Sequence, residues 1–285
     1  MNWGRAKTIL IILFLVTDIF LSYILVQTKM GTTRISNETI LTTVQVLEKN
    51  GLTVSKDIIP NRRPDNQNVV MRNIFDDTQE IADILLGEYE VTKQDDGQHI
   101  YQYTSSRAEL RSSDEGFIFT LLKSPVPYVK EKEPTPEDMQ TKVLDQLAKL
   151  GFAKKEIFVD KGHMEEGLYR SFAVPLYRGM KIYGVSMEIV ADSEGVVSLS
   201  GNWFKPEKTE SYEKEQLLDI TAVLTGLIYR EDCKNMKISV IESAYHVSGD
   251  YLNSRELVAV PVYIIQDEKG NKVYFDARMG NMIAE

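Results

Sequence analysis

Apolar positions along the chain fall into three kinds of run, and each predicts a different element. The longest is nearly unbroken: from Ile9 to Val26, 14 of 18 residues are Ile, Leu, Val or Phe. A helix rising 1.5 Å per residue covers about 27 Å over such a run, close to the hydrocarbon thickness of a bilayer. Thr17, Asp18, Ser22 and Tyr23 are the exceptions. A central Asp opposes insertion by about 2.5–3.5 kcal/mol, whereas the apolar residues together favour it by roughly 4–8 kcal/mol. The expectation is a transmembrane anchor over residues 9–28, preceded by a cytoplasmic tail over 1–8. Arg5 and Lys7 hold that tail inside, and Lys29 and Arg34 weaken the bias a little. Trp3 and Tyr23 suit the membrane interfaces. The competing reading, a cleaved signal peptide, needs a shorter apolar region and a small-x-small site, and no Ala-x-Ala follows this span.

The second kind of run has helical spacing. Ser36-Asn37-Glu38-Thr39 opens a stretch with Ile40, Leu41, Val44 and Leu47, ending in Lys49-Asn50-Gly51-Leu52. One hundred positions later, Pro136-Glu137-Asp138 opens another with Val143, Leu144 and Leu147, ending in Lys149-Leu150-Gly151-Phe152. Each has a capping start and a Gly stop, and each leads into a short apolar stretch, Ile58-Ile59 or Ile157-Phe158-Val159. The shared order suggests two related α+β units, although any two capped amphipathic helices look alike. Pro125-Val126-Pro127 and the charged, Pro-rich stretch from Lys130 to Pro136 read as the connection. The expected layout is one extracytoplasmic domain over 35–128, a linker over 129–135 and a second domain over 136–285. A further helix is predicted over Ser211 to Arg230, where Leu217, Leu218, Ile220, Val223, Leu224, Leu227 and Ile228 give a broad apolar face.

The third kind is strand-like: Ile100–Tyr103, Gly116–Leu122, Tyr169–Tyr177, Lys181–Ala191, Val196–Trp203, Met236–Val247, Glu256–Gln266 and Val273–Ala277. Asp192-Ser193-Glu194-Gly195 and Asp267-Glu268-Lys269-Gly270-Asn271 read as hairpin turns. Ala-Val-Pro occurs at 173–175 and again at 259–261, and Pro there predicts an edge strand or a bulge. Helices over antiparallel hairpins give an α+β fold, with antiparallel sheet packed against helices behind an N-terminal transmembrane helix.

Composition narrows the chemistry. With 42 acidic and 33 basic residues the net charge is −9, which argues against a nucleic-acid partner. Residues 1–28 carry Arg5, Lys7 and Asp18, a net of +1, so the remainder carries −10. One Cys excludes an intrachain disulfide framework and multi-Cys zinc sites. His99, His163 and His246 are far apart, and His163-Met164-Glu165-Glu166 lacks the second His of a zincin. Gly184-Val185-Ser186-Met187-Glu188 lacks the closing Gly of a nucleophile elbow. Cys233 has no second Cys and reads as a small packing residue. No Gly-rich phosphate loop or dinucleotide fingerprint appears. The sequence predicts no catalytic residues, no metal and no cofactor. It does not exclude two carboxylates that only the fold brings together.

That leaves Asp18. It reads either as a tolerated polar residue or as a contact with another transmembrane helix, because ionisable residues within a span rarely face lipid. Ser22 lies four residues on, and Ile11, Leu15 and Leu25 continue the same face. This stripe is the candidate partner-binding site.

The opening Met1-Asn2-Trp3-Gly4-Arg5-Ala6-Lys7-Thr8-Ile9-Leu10, running into Phe14-Leu15 and Asp18-Ile19-Phe20-Leu21, resembles that of the YycI family. These are single-span extracytoplasmic proteins of Gram-positive bacteria. With a sister protein, YycH, they act as accessory regulators of the WalK–WalR (YycG–YycF) two-component system of cell-wall metabolism. The resemblance is sharp over residues 2–25 and rests beyond them on size and layout. It implies a non-catalytic regulator in the cell membrane, with its N-terminus cytoplasmic and its bulk outside. The anchor would pack against a sensor histidine kinase of WalK (YycG) type and a YycH-type sister protein, with Asp18 and Ser22 as the contacts within the span. The alternative is an anchored cell-wall hydrolase or carbohydrate-binding module.

Overall fold

The structure is a computed structural model, and it describes residues 14–22, 34–61, 63–64, 67–73, 78–95, 100–113, 116–129, 134–211, 217–247 and 256–283. It is mixed α+β, with extensive antiparallel sheet and few helices. The helices are α1 (14–22), α2 (Asn37–Lys49), α3 (Thr78–Leu86), α4 (Pro136–Lys149) and α5 (Ile220–Gly226). The first strands are β1 (Thr53–Val54), β2 (Gln67–Asn73), β3 (Glu90–Asp95), β4 (Ile100–Thr104), β5 (Ala108–Ser113) and β6 (Gly116–Leu121). Next come β7 (Ile157–Val159), β8 (His163–Glu165), β9 (Leu168–Tyr177), β10 (Met180–Tyr183), β11 (Met187–Ala191), β12 (Val196–Gly201) and β13 (Phe204–Ser211). The last four are β14 (Lys237–Val247), β15 (Glu256–Asp267), β16 (Lys272–Asp276) and β17 (Met282–Ile283).

Two bodies emerge from the pairing. One is an antiparallel sheet in the order β3-β4-β5-β6-β12-β11-β9, with β7 and β8 sharing the outer edge of β9. α3 and α4 cover one face, and Ile81, Val143, Leu147, Leu110, Phe119 and Leu199 share its core. The other body runs β17-β16-β15-β14, with β2 and then β13 joined to β15 beside β16. α2 and α5 close its core around Ile40, Leu47, Leu224, Tyr263, Ile265 and Phe275. The first body uses residues between 81 and 203, and the second uses the chain on both sides of that stretch. Each core thus draws residues from before and after 129–135, through pairs such as β6 with β12 and β2 with β13.

The spacing of one hundred residues survives as local geometry. Ser36 Oγ accepts from the Thr39 N–H at 3.1 Å, and Thr135 Oγ1 accepts from the Asp138 N–H at 3.2 Å. Leu52 and Phe152 donate back to the carbonyls of Leu47 and Leu147 at 3.0 and 2.9 Å. Between them Gly51 and Gly151 turn out of the helix at φ +83° and +92°, a conformation that a side chain disfavours. Leu47 and Leu147 are both fully buried.

Three expectations need correcting. The helix expected over Ser211 to Arg230 is α5 alone, followed by a 3₁₀ turn over Leu227–Tyr229, and the chain through Ser211 is still strand. Residues 212–216 lie outside the described residues. Asp219 caps α5 without a side-chain bond to it, because Arg63 holds both of its carboxylate oxygens, one at 2.8 Å. The two prolines do not mark edge strands. Pro175 sits where one edge of β9 changes partner from β11 to β10, and Pro261 where one edge of β15 changes from β2 to β16. A missing N–H is tolerated at such a gap in a ladder. The run expected over Lys181–Ala191 is two strands, because β10 leaves β9 at Tyr183 to pair in parallel with β14.

The Pro-rich segment before 129 is held in place. Val126 N–H donates to the Asp192 carboxylate at 2.8 Å and its carbonyl accepts from Ser193 at 3.1 Å. Tyr128 N–H donates to the Gly167 carbonyl at 2.8 Å.

Candidate functional site

Of the stripe singled out in the N-terminal span, Leu15, Asp18 and Ser22 lie on α1, and all three are exposed. Asp18 and Ser22 are one turn apart, so they share a face, and Leu15 lies three residues before Asp18 on that face. Ile11 and Leu25 of the stripe lie outside the described residues, as do Trp3, Arg5 and Lys7. Phe14, Leu15, Val16, Ile19, Phe20 and Leu21 are each 55–62% exposed. At 100° per residue these six cover most of the circumference of the helix, and Asp18 and Ser22 lie together on the remaining face. A helix so largely apolar belongs in apolar surroundings, either a protein core or a bilayer. No helix among the described residues is long and apolar enough to cross a membrane; α1 as described covers nine residues, about 14 Å.

A polar cluster marks the meeting of the two bodies. Tyr183 of β10 is in register with His246 of β14. Lys181 pairs with Glu242 at 3.1 Å, and the Tyr183 hydroxyl donates to the same carboxylate at 3.3 Å. Lys181 also lies 4.2 Å over the Phe158 ring, and Lys272 5.5 Å over the Tyr183 ring. His246 is buried against Tyr274, ring centres 4.9 Å apart. Burial, and then the neighbouring Glu242 charge, push the Tyr183 phenol well above its ordinary range, so it stays a neutral donor. These partners all belong to the chain itself, and the geometry is that of a junction. The sequence does not disclose it, because β10 and β14 are far apart along the chain.

A second feature unforeseen in the sequence is a cleft of about 160 Å³ between α3, the turn after α4, and the β2–β13 pair. Arg72 and Lys205 stand at its rim, and Trp203 and Phe152 form its base in edge-to-face contact at 5.7 Å. Among the described residues no three His, Cys, Asp or Glu side chains come together as a metal site. His163 is exposed on β8, and Cys233 is buried in the core beneath α2 and α5.

No family model matches the chain, and no curated protein does. Among solved structures, an uncharacterised protein from Eubacterium rectale is similar at 12% identity and TM-score 0.49, over 78% of this chain and 88% of that one. The C-terminal domain of Bacillus megaterium YpeB is similar at 12% identity and TM-score 0.42, over 74% of this chain and 96% of that one.

Proposed function

We propose that the chain is a membrane-anchored, non-catalytic regulator of the YycI kind. Residues 9–28 span the bilayer with the N-terminus inside. The bulk lies outside, and the whole acts by contact on a sensor histidine kinase of WalK (YycG) type, together with a YycH-type sister protein. The observation that carries this reading is α1: six large apolar side chains exposed over most of the helix, with Asp18 and Ser22 together on the remaining face. Within lipid, a carboxyl and a hydroxyl one turn apart are satisfied best by a second helix. A regulator of this type works by binding one state of the kinase more tightly than the other.

Replacing Asp18 by Leu is expected to leave insertion intact and to lower co-purification with the kinase by roughly three- to tenfold, the range an interhelical hydrogen bond commands. Asp18→Asn, which keeps hydrogen-bonding capacity, is expected to retain most of the association. Quantitative pull-down from membranes expressing both proteins measures it. Equal recovery with Asp18→Leu and the parent chain would overturn the contact assigned to this residue.

A further inference from the structure

We infer that the cleft beside α3 is a docking site for a partner protein's peptide segment that carries one large apolar side chain next to a carboxylate. Three observations lead there. First, the apolar residues at the α3 side of the cleft differ in exposure. Ile81 lines it from the core at 8% exposure, Leu85 and Leu150 line it partly buried, and Ile84 lines it at 48% exposure. An isoleucine half in water, in one recess with a buried Trp203, is a seat for another apolar group.

Second, the size is selective. About 160 Å³ matches the engineered cavity of about 150 Å³ that holds a benzene. Small-molecule sites usually run to about 300–1,000 Å³ and enclose most of the ligand. An open recess that takes one ring fits the anchor side chain of a larger partner.

Third, the rim supplies a cation. Lys205 is engaged by Glu156 at 3.6 Å. Arg72, directly opposite Lys205 across the β2–β13 pair, is exposed and makes no ion pair with any described residue. Glu256 is in register with Arg72 on β15, but it forms no ion pair with it and does not line the cleft. The guanidinium beside the recess suits a carboxylate, which it binds through a planar fork.

The site rests on the reading that the exterior works by contact, and its test is separable from that of the anchor. The full chain, reconstituted in nanodiscs, is titrated with a fluorescein-labelled Gly-Ser peptide carrying one Phe followed by one Glu. Saturable binding is expected to weaken by about tenfold when the peptide Phe becomes Ala or its Glu becomes Gln. The same loss is expected in Arg72→Glu and in Ile84→Gln, both surface changes whose folding is checked by circular dichroism, with Arg72→Lys recovering part of it. Asp18→Leu is expected to bind the peptide as the parent chain does. The proposal is overturned if the Ala peptide binds equally, if Arg72→Glu and Ile84→Gln change nothing, or if hexanoate fills the cleft and quenches Trp203 while the peptide does not bind.

Discussion

Leu47→Ala and Leu147→Ala are each expected to destabilise the chain by about 2–5 kcal/mol, and the double variant to lose the sum of the two. Both leucines are fully buried in the last turn of their helices. Ala is the best helix former, so neither change disturbs α2 or α4 as a helix, and the loss comes from packing. Leu147 packs with α3 and the first sheet, and Leu47 with α5 and the second, so they have no core partner in common. Residues without shared partners contribute independently. Urea unfolding of the two single variants and the double variant measures this. A double loss well short of the sum would mean that the two cores unfold through a shared intermediate layer, the cluster of Met71, Ile182, Phe204 and Tyr245 being the one that lies between β2, β10 and β14. As a control, Leu144→Ala, at a partly buried position of α4, is expected to cost less than Leu147→Ala.

The equivalence of those two leucines is legible in the sequence alone, because a helix writes its period, its cap and its Gly stop into consecutive residues. The pairing that divides the molecule is not. β2 reads Gln-Asn-Val-Val-Met-Arg-Asn, and residues 68–71 are all buried. A strand covered on both faces shows no alternation of apolar and polar residues to detect. β13 is hidden for the opposite reason: Pro206, two lysines and two glutamates make Phe204–Ser211 look like a loop, and such residues are what an exposed strand edge carries. β5 alternates, but Ser112 stands at one of its inward positions, where the pattern asks for an apolar residue. The overextended helix at 211–230 comes from Leu217 and Leu218, which keep helical spacing with α5 although the helix begins only after Asp219. The cleft depends on all of this. Arg72 and Lys205 become neighbours only through β2 and β13, and Ile84 belongs to a helix that the apolar pattern does not announce. The stripe of Asp18 and Ser22 is legible because it lies within a single helix.

Removing the Asp192 carboxylate is expected to have the largest effect of any single polar substitution. Asp192 is fully buried at the β11–β12 turn. One oxygen accepts from the N–H groups of Glu194 and Gly195 at 2.8 and 2.9 Å, and the other from Val126 at 2.8 Å. Burial pushes its carboxyl upward, but the three backbone amides and the nearby Lys123 together hold it below the usual carboxylate range. Asp192→Ala strands those donors and releases the segment before 129, at about 3 kcal/mol. Asp192→Asn keeps an accepting oxygen without the charge, so a loss of about 1 kcal/mol is expected. The two forms should also differ in their pH dependence. Because the folded pKa lies below the unfolded one, the charge stabilises fully above the unfolded value of about 3.9 and is lost as pH falls through the folded value. The difference in melting temperature between the parent chain and Asp192→Asn is therefore expected to be constant near neutrality and to shrink below about pH 4. Other carboxylates held low, among them Glu137 and Asp145, titrate alike in both proteins and drop out of the difference. A gap that persists undiminished at acid pH would assign the loss to turn geometry and leave the charge of Asp192 without a part in it.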